Sequence, residues 1–209
     1  MKRPADEECD ACKQAGITRK PAKRKVPNRY RDKKFDGLVF SVDYFTGMPE
    51  DNDGNTCAFV VDEATHDLGY LLPCKSRGEE EALDSFLKCI QKIMAKLPKE
   101  KRVVKTVHSD IESSVVGAKV ARYIKDKQWN QTNTEGYDSN ANARVENRIK
   151  RVKRLFRAYL LQATGGRMYY QKCWGNFARY ASNEVLLHTP VAGDMTPIES
   201  RLRGQGVKA

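Results

Sequence analysis

The sequence predicts an α/β domain. Three features predict it: short apolar runs rich in β-forming residues between 38 and 72, a switch to helical spacing over 78–97, and a return to alternating strand and helix after residue 103. Residues 38–45 (Leu-Val-Phe-Ser-Val-Asp-Tyr-Phe) form the first expected strand and end at turn signals, Thr46-Gly47-Met48-Pro49 and Asn52-Asp53-Gly54. Residues 57–62 and 68–72 are the second and third strands, and connections this short suit antiparallel neighbours. Over 78–97, Leu83, Phe86, Leu87, Ile90, Ile93, Met94 and Leu97 share one helical face. Glu79, Glu80 and Glu81 stand at its start and Lys96 near its end, as the helix dipole favours, and Pro98 stops it. A strand at 103–107, a helix over 114–127, a fifth strand at 129–133 and a polar loop at 134–140 follow. The strongest helical pattern is the last, over about 142–164, with Val145, Ile149, Val152, Phe156, Tyr159 and Leu160 on its apolar face.

The chain has 209 residues, 38 Lys and Arg against 27 Asp and Glu, and a net charge of +11. Its 40% hydrophobic content supports one core, and no apolar run approaches the roughly 18 residues of a membrane span. Nothing apolar follows the charges of the first residues, so no secretory signal is expected, and the six cysteines read as reduced thiols. Residues 13–34 hold ten basic side chains and one acid. With two prolines and few apolar residues they cannot build a core, and a disordered basic arm is expected across 1–34. Such an arm suits a nuclear-localisation patch at Lys23-Arg24-Lys25 or a strap along a phosphate backbone. The positive balance points to a polyanionic partner, most simply nucleic acid.

The last helix concentrates this charge. Arg144, Arg148, Lys150, Arg151, Lys153, Arg154 and Arg157 lie among its apolar residues, with Glu146 the one acid at their head. At 100° per residue, Lys150, Lys153 and Arg157 project within about 40° of Glu146, which reads either as a solvated face or, better, as a catalytic acid beside a phosphate track. Two further acids stand out. Asp43 lies inside an apolar strand, where an ionised carboxylate is costly unless paired or metal-bound, and Asp110 follows directly on a strand. Two strand-borne aspartates and a helix-borne glutamate form a pattern for two-metal phosphoryl transfer, and oxygen ligands favour Mg²⁺ or Mn²⁺.

These motifs resemble the catalytic core of retroviral and long-terminal-repeat retrotransposon integrases. Thirty-five residues separate Asp110 from Glu146, the spacing of that family's signature. His108-Ser109-Asp110 looks like its second-aspartate segment, and the run from Tyr137 through Asn142 to Val145-Glu146 looks like its Tyr-x-Pro-Gln-x-Asn-Gly-x-Val-Glu. The stretch from His188-Thr189-Pro190 to Ile198-Glu199 is similar to the segment that closes the core in retrotransposon versions. Cys9 and Cys12, a CxxC followed by a basic segment, resemble the last two ligands of the zinc module that precedes such cores. No histidine precedes Cys9, so Zn²⁺ is not expected here. The chain departs from the pattern at six positions: Glu112 stands where the family has glycine, Ser114 and Val115 replace a glutamate and an aromatic, Ala143 replaces a second glycine, and Ser139-Asn140 replaces Pro-Gln.

The resemblance implies a ribonuclease-H-like mixed five-stranded sheet with helices on both faces, over 35–205, after a zinc-module remnant and basic linker over 1–34. It implies a polynucleotidyl transferase and nuclease of DNA integration. Water or a 3′-hydroxyl attacks a phosphodiester, with Asp43, Asp110 and Glu146 holding two Mg²⁺ or Mn²⁺ ions. Lys150 and Lys153 match family positions that contact DNA, while Arg157 extends their stripe and Tyr137 and Asn142 shape the substrate loop. Element ends and target DNA are the implied partners, self-association is allowed, and no membrane is involved. The nucleus, or a cytoplasmic pre-integration particle, is the expected location. The alternative is a catalytically silent, nucleic-acid-binding relic of such an integrase, which Glu112 motivates.

Overall fold

The computed structural model describes residues 37–110, 117–134, 143–165, 172–188 and 196. Its strands are β1 (Leu38–Phe45), β2 (Cys57–Glu63), β3 (Leu68–Cys74), β4 (Val104–Asp110) and β5 (Asn130–Thr134). Its helices are α1 (Glu79–Ala95), α2 (Ala118–Asp126), α3 (Ala143–Thr164) and α4 (Trp174–Tyr180), the last leading into a π turn at Ala181–Val185. Each element expected from the sequence over these residues is present, with β3 and β4 running further than their apolar runs. The expected arm at 1–34, Cys9, Cys12, Glu112, Tyr137 and Asn142 lie outside the described residues.

The sheet order is β3-β2-β1-β4-β5. β1–β2 and β2–β3 are antiparallel, as short turns allow, while β1–β4 and β4–β5 are parallel and joined through α1 and α2. The result is a mixed sheet. Alternation along β1 then sorts its side chains to two cores. Leu38, Phe40, Val42 and Tyr44 join Phe59 and Val61 under the buried face of α1 and α2. Phe45 joins Ala58, Val60 and Leu71 under α3 and α4.

α1 buries Phe86, Ile90 and Ile93 of the face read from the sequence together with Ala82 and Cys89, while Leu83, Leu87 and Met94 are partly buried against the same core. Its N-terminal acids also serve α2: Glu79 Oε1 accepts the Ala118 amide at 3.2 Å, and Glu80 pairs with Lys119. Gly117 is needed there, because a Cβ would stand 2.7 Å from the Glu79 side chain.

α3 lies across the second core through Val145, Ile149, Val152 and Phe156, all buried. Full burial of such side chains contributes about 1.5–3 kcal/mol each, so this face suffices to dock the helix. Phe45 meets Phe156 edge-on at 5.8 Å and Trp174 at 5.6 Å. Trp174 donates its indole N–H to the Pro49 carbonyl at 2.7 Å, tying α4 to the loop after β1. At the sheet edge, Asn183 accepts the Leu71 amide at 2.8 Å and donates to the Leu71 carbonyl at 3.1 Å. One side-chain amide thus covers the edge of β3 as a further strand would.

Candidate active site and nucleic-acid face

Asp43 is two residues before Phe45, on the side of β1 that faces α3. Its cross-strand partner is Val60 of the same core. The carboxylate is half-buried, and its Oδ1 accepts the Tyr44 amide at 2.7 Å. Parallel pairing matches Ser41 with His108. Counted on by two residues along both strands, that register brings Asp43 level with Asp110, the last residue of β4. Asp110 is itself paired with Thr134 of β5. Asp110 is described by its backbone alone, and its carboxylate lies outside the described residues. His108, two residues earlier, bonds through Nδ1 to the Thr132 hydroxyl across β4–β5.

Glu146 sits in the first turn of α3, next to buried Val145. Its side chain is exposed, and Oε2 accepts from Lys150 Nζ at 3.3 Å, one turn on. Lys153 follows on the same stripe, its Nζ 5.0 Å from the centre of the Phe45 ring. A cation over an aromatic face is held by the ring's negative potential. That contact joins the stripe to the end of the strand carrying Asp43. Arg157 continues the stripe into solvent. Among the described residues, no three His, Cys, Asp or Glu side chains are placed to share a metal ion. As a donor set, Asp43, Asp110 and Glu146 offer the hard carboxylate oxygens that Mg²⁺ and Mn²⁺ take.

The seven cations of α3 do not form a single exposed face. Arg148 is buried, and its Nε donates to Asp62 Oδ1 at 2.5 Å. Arg144 donates to Asp62 Oδ2 at 3.1 Å and to Asp67 Oδ1 at 2.8 Å, and Arg148 also reaches the Asp67 carbonyl at 2.9 Å. Burial by itself would lower the Arg144 value, but Asp62 and Asp67 together raise it above the ordinary arginine range. These acids come from the β2–β3 hairpin. Fully buried Glu63 shapes the turn, accepting the amides of Thr65 at 2.7 Å and His66 at 2.8 Å. Asp67 follows in the left-handed region at φ +56°. Gly69 leaves the space that the Arg148 guanidinium fills.

Sequence reasoning passed over Asp62 as the end of a strand. The signal was present: a charge closing the run Ala58-Phe59-Val60-Val61, which is the argument that singled out Asp43. What the sequence did not carry was the partner, 86 positions away.

No family profile and no curated protein matches this chain. Solved structures do. It is similar to the catalytic core domain of BIV integrase at 16% identity and TM-score 0.53, over 80% of this chain and 95% of that one. It is also similar to the HTLV-2 integrase catalytic core domain, solved in complex with magnesium in a trimeric form. That match has 13% identity and TM-score 0.54, over 78% of this chain and 95% of the other. Among the described residues, no helix is long and apolar enough to cross a membrane. The chain has the ribonuclease-H-like fold of a retroviral integrase catalytic core.

Proposed function

We propose that this protein is an integrase-like core that transfers and cleaves DNA strands with the help of divalent metal. Asp43, Asp110 and Glu146 would hold two Mg²⁺ or Mn²⁺ ions. The observation that carries the reading is the coincidence of sequence and register. Each aspartate follows two residues after the paired Ser41 and His108 on adjacent parallel strands. The glutamate of the 35-residue spacing opens the helix packed on β1 and β2. When bound, the ions supply polarisation of the phosphodiester and neutralise its charge.

The chain's own residues do the rest. Lys153, steadied over Phe45, and the exposed Arg157 bind DNA phosphates along α3. Lys150 neutralises Glu146 in the free protein and can turn to phosphate when DNA arrives. The attacking hydroxyl, of water or of a DNA 3′ end, forms a new P–O bond as the old one breaks. A homo-oligomer and a nuclear site of action accompany this reading, the HTLV-2 core's trimeric form being a precedent for self-association.

The test is a disintegration or nicking assay with branched and nicked duplexes in Mg²⁺ and in Mn²⁺. Metal-dependent product is expected, with weak or no concerted integration. Glu146→Gln should abolish product, and activity surviving it would place the chemistry elsewhere. A second reading, DNA binding without catalysis, is favoured by Glu112, whose charge and Cβ stand where integrase cores resembling this chain have glycine. That reading gives binding but no product in either metal.

A further inference from the structure

The face of α3 turned away from Glu146 carries cations that the proposed reaction does not use. Arg144, Asn147, Arg148 and Arg151 follow i, i+3, i+4, i+7 spacing, and Arg151 projects about 140° around the helix from Glu146. With Asp62 and Asp67 they line a pocket of about 160 Å³.

The charges in this pocket do not balance. Arg148 and Arg144 share Asp62, and Arg144 also holds the Asp67 carboxylate. Three guanidinium groups therefore meet two carboxylates, and Arg151 is the one left over. Half-buried, it makes no hydrogen bond or ion pair with the described residues. Burial and then the neighbouring Arg148 lower its value below the ordinary arginine range, outweighing the attraction of Asp62 and Asp67, whose carboxylates are engaged by Arg144 and Arg148. The groups around it are already fixed, because Arg144 and Arg148 are pinned to the hairpin. Asn147 is exposed at the same mouth and offers an amide N–H.

We propose that this pocket binds a phosphate group, with the fork of Arg151 as the principal partner and the Asn147 amide as the second donor. A guanidinium presents two parallel N–H groups that match two oxygens of a phosphate. The source of that phosphate is a nucleic-acid backbone, which rests on the DNA-binding reading above; the pocket itself does not. On that reading α3 has two nucleic-acid faces. The Lys150–Lys153–Arg157 stripe serves the segment being cut, and the Arg151 pocket anchors a second stretch of backbone on the hairpin side.

The experiment follows the Arg151 side-chain Nε–Hε resonance of the full chain, identified by its loss in Arg151→Lys. The chain is titrated separately with inorganic phosphate and with duplex DNA. Duplex affinity is then measured against salt for the wild type, for Arg151→Gln, and for Asn147→Asp, which supplies Arg151 with an internal carboxylate. A saturating shift with duplex is expected, with a weaker one from inorganic phosphate. Both variants should reduce the salt slope by about one unit, the loss of one phosphate contact. Their melting temperatures should stay within a degree or two of wild type, and a fall of many degrees in Arg151→Gln would assign Arg151 to structure instead. A shift with inorganic phosphate but an unchanged salt slope keeps the pocket and removes the nucleic-acid source. A resonance unmoved by both titrants overturns the proposal, even if the duplex still binds through the stripe. If duplex does not bind at all while inorganic phosphate moves Arg151, the proposed function fails and the pocket stands.

Discussion

Arg148 on α3 donates from Nε to Oδ1 of Asp62 on β2 at 2.5 Å, with both side chains almost wholly withdrawn from water. This contact locks the helix bearing Glu146 to the hairpin of a sheet whose central strand bears Asp43. Hydrophobic burial under Val145, Ile149 and Val152 holds the helix down but permits sliding. A charged hydrogen bond of fixed direction sets its register.

Removing one member of that pair should therefore be costly. Asp62→Asn leaves Arg148 buried with a weakened acceptor and also loses a partner of Arg144. It is expected to lower unfolding free energy by about 3–5 kcal/mol in urea denaturation. A loss under about 1 kcal/mol would show that water, not Asp62, solvates the guanidinium.

Gly69→Ala tests the same lock from the other side. Its Cβ would occupy the position of the Arg148 guanidinium, which two bonds prevent from swinging away. A penalty of about 1–3 kcal/mol is expected from overpacking. In an Arg148→Met background the penalty should largely vanish, and equal penalties in both backgrounds would refute the collision.

Mg²⁺ or Mn²⁺ should raise the melting temperature if the three acids form a site. Binding to the folded state alone, at a hundredfold excess over Kd, stabilises by about 2.7 kcal/mol. Asp43→Asn or Glu146→Gln should remove the shift in scanning calorimetry. Glu112→Gly should enlarge it if that glutamate only crowds the ions. No shift in wild type or Glu112→Gly would favour the DNA-binding relic.

Salt should weaken DNA binding steeply. Neutralising Lys150, Lys153 and Arg157 together is expected to reduce the slope of log affinity against log salt by about two to three units. An unchanged slope would make the stripe a solvated face.

Acid should loosen the entry to α1. Burial alone would raise the Glu81 carboxyl, but hydrogen bonds from Ser76 Oγ and the amides of Lys75 and Ser76 prevail and hold it below the usual range. A depressed acid contributes stability above its unfolded-state value, and that contribution is lost as pH falls through the folded one. Glu81→Gln should thus melt lower than wild type near neutral pH, with the gap closing below pH ~4. Since Glu81 is partly exposed, the gap should be small, and a gap that widens in acid would contradict this account.

The sequence by itself determined the order and kind of elements from β1 to α3, because strand alternation and helical spacing are local patterns that burial imposes on neighbouring residues. Its motifs also pointed to Asp43, Asp110 and Glu146, two on strands and one opening a helix, since spacing along the chain is a linear property. Tertiary structure decided what each charge does. Seven cations stand on α3 in the sequence, of which Arg144 and Arg148 turn inward to Asp62 and Asp67, with Arg151 beside them. Nothing local distinguishes Arg148 from Lys150, because their difference lies in partners: one meets a hairpin 86 positions earlier and the other an acid four positions away. The edge cover from Asn183, 112 positions beyond Leu71, was hidden for the same reason. A period marks a face, but only the packed fold selects which distant group meets it.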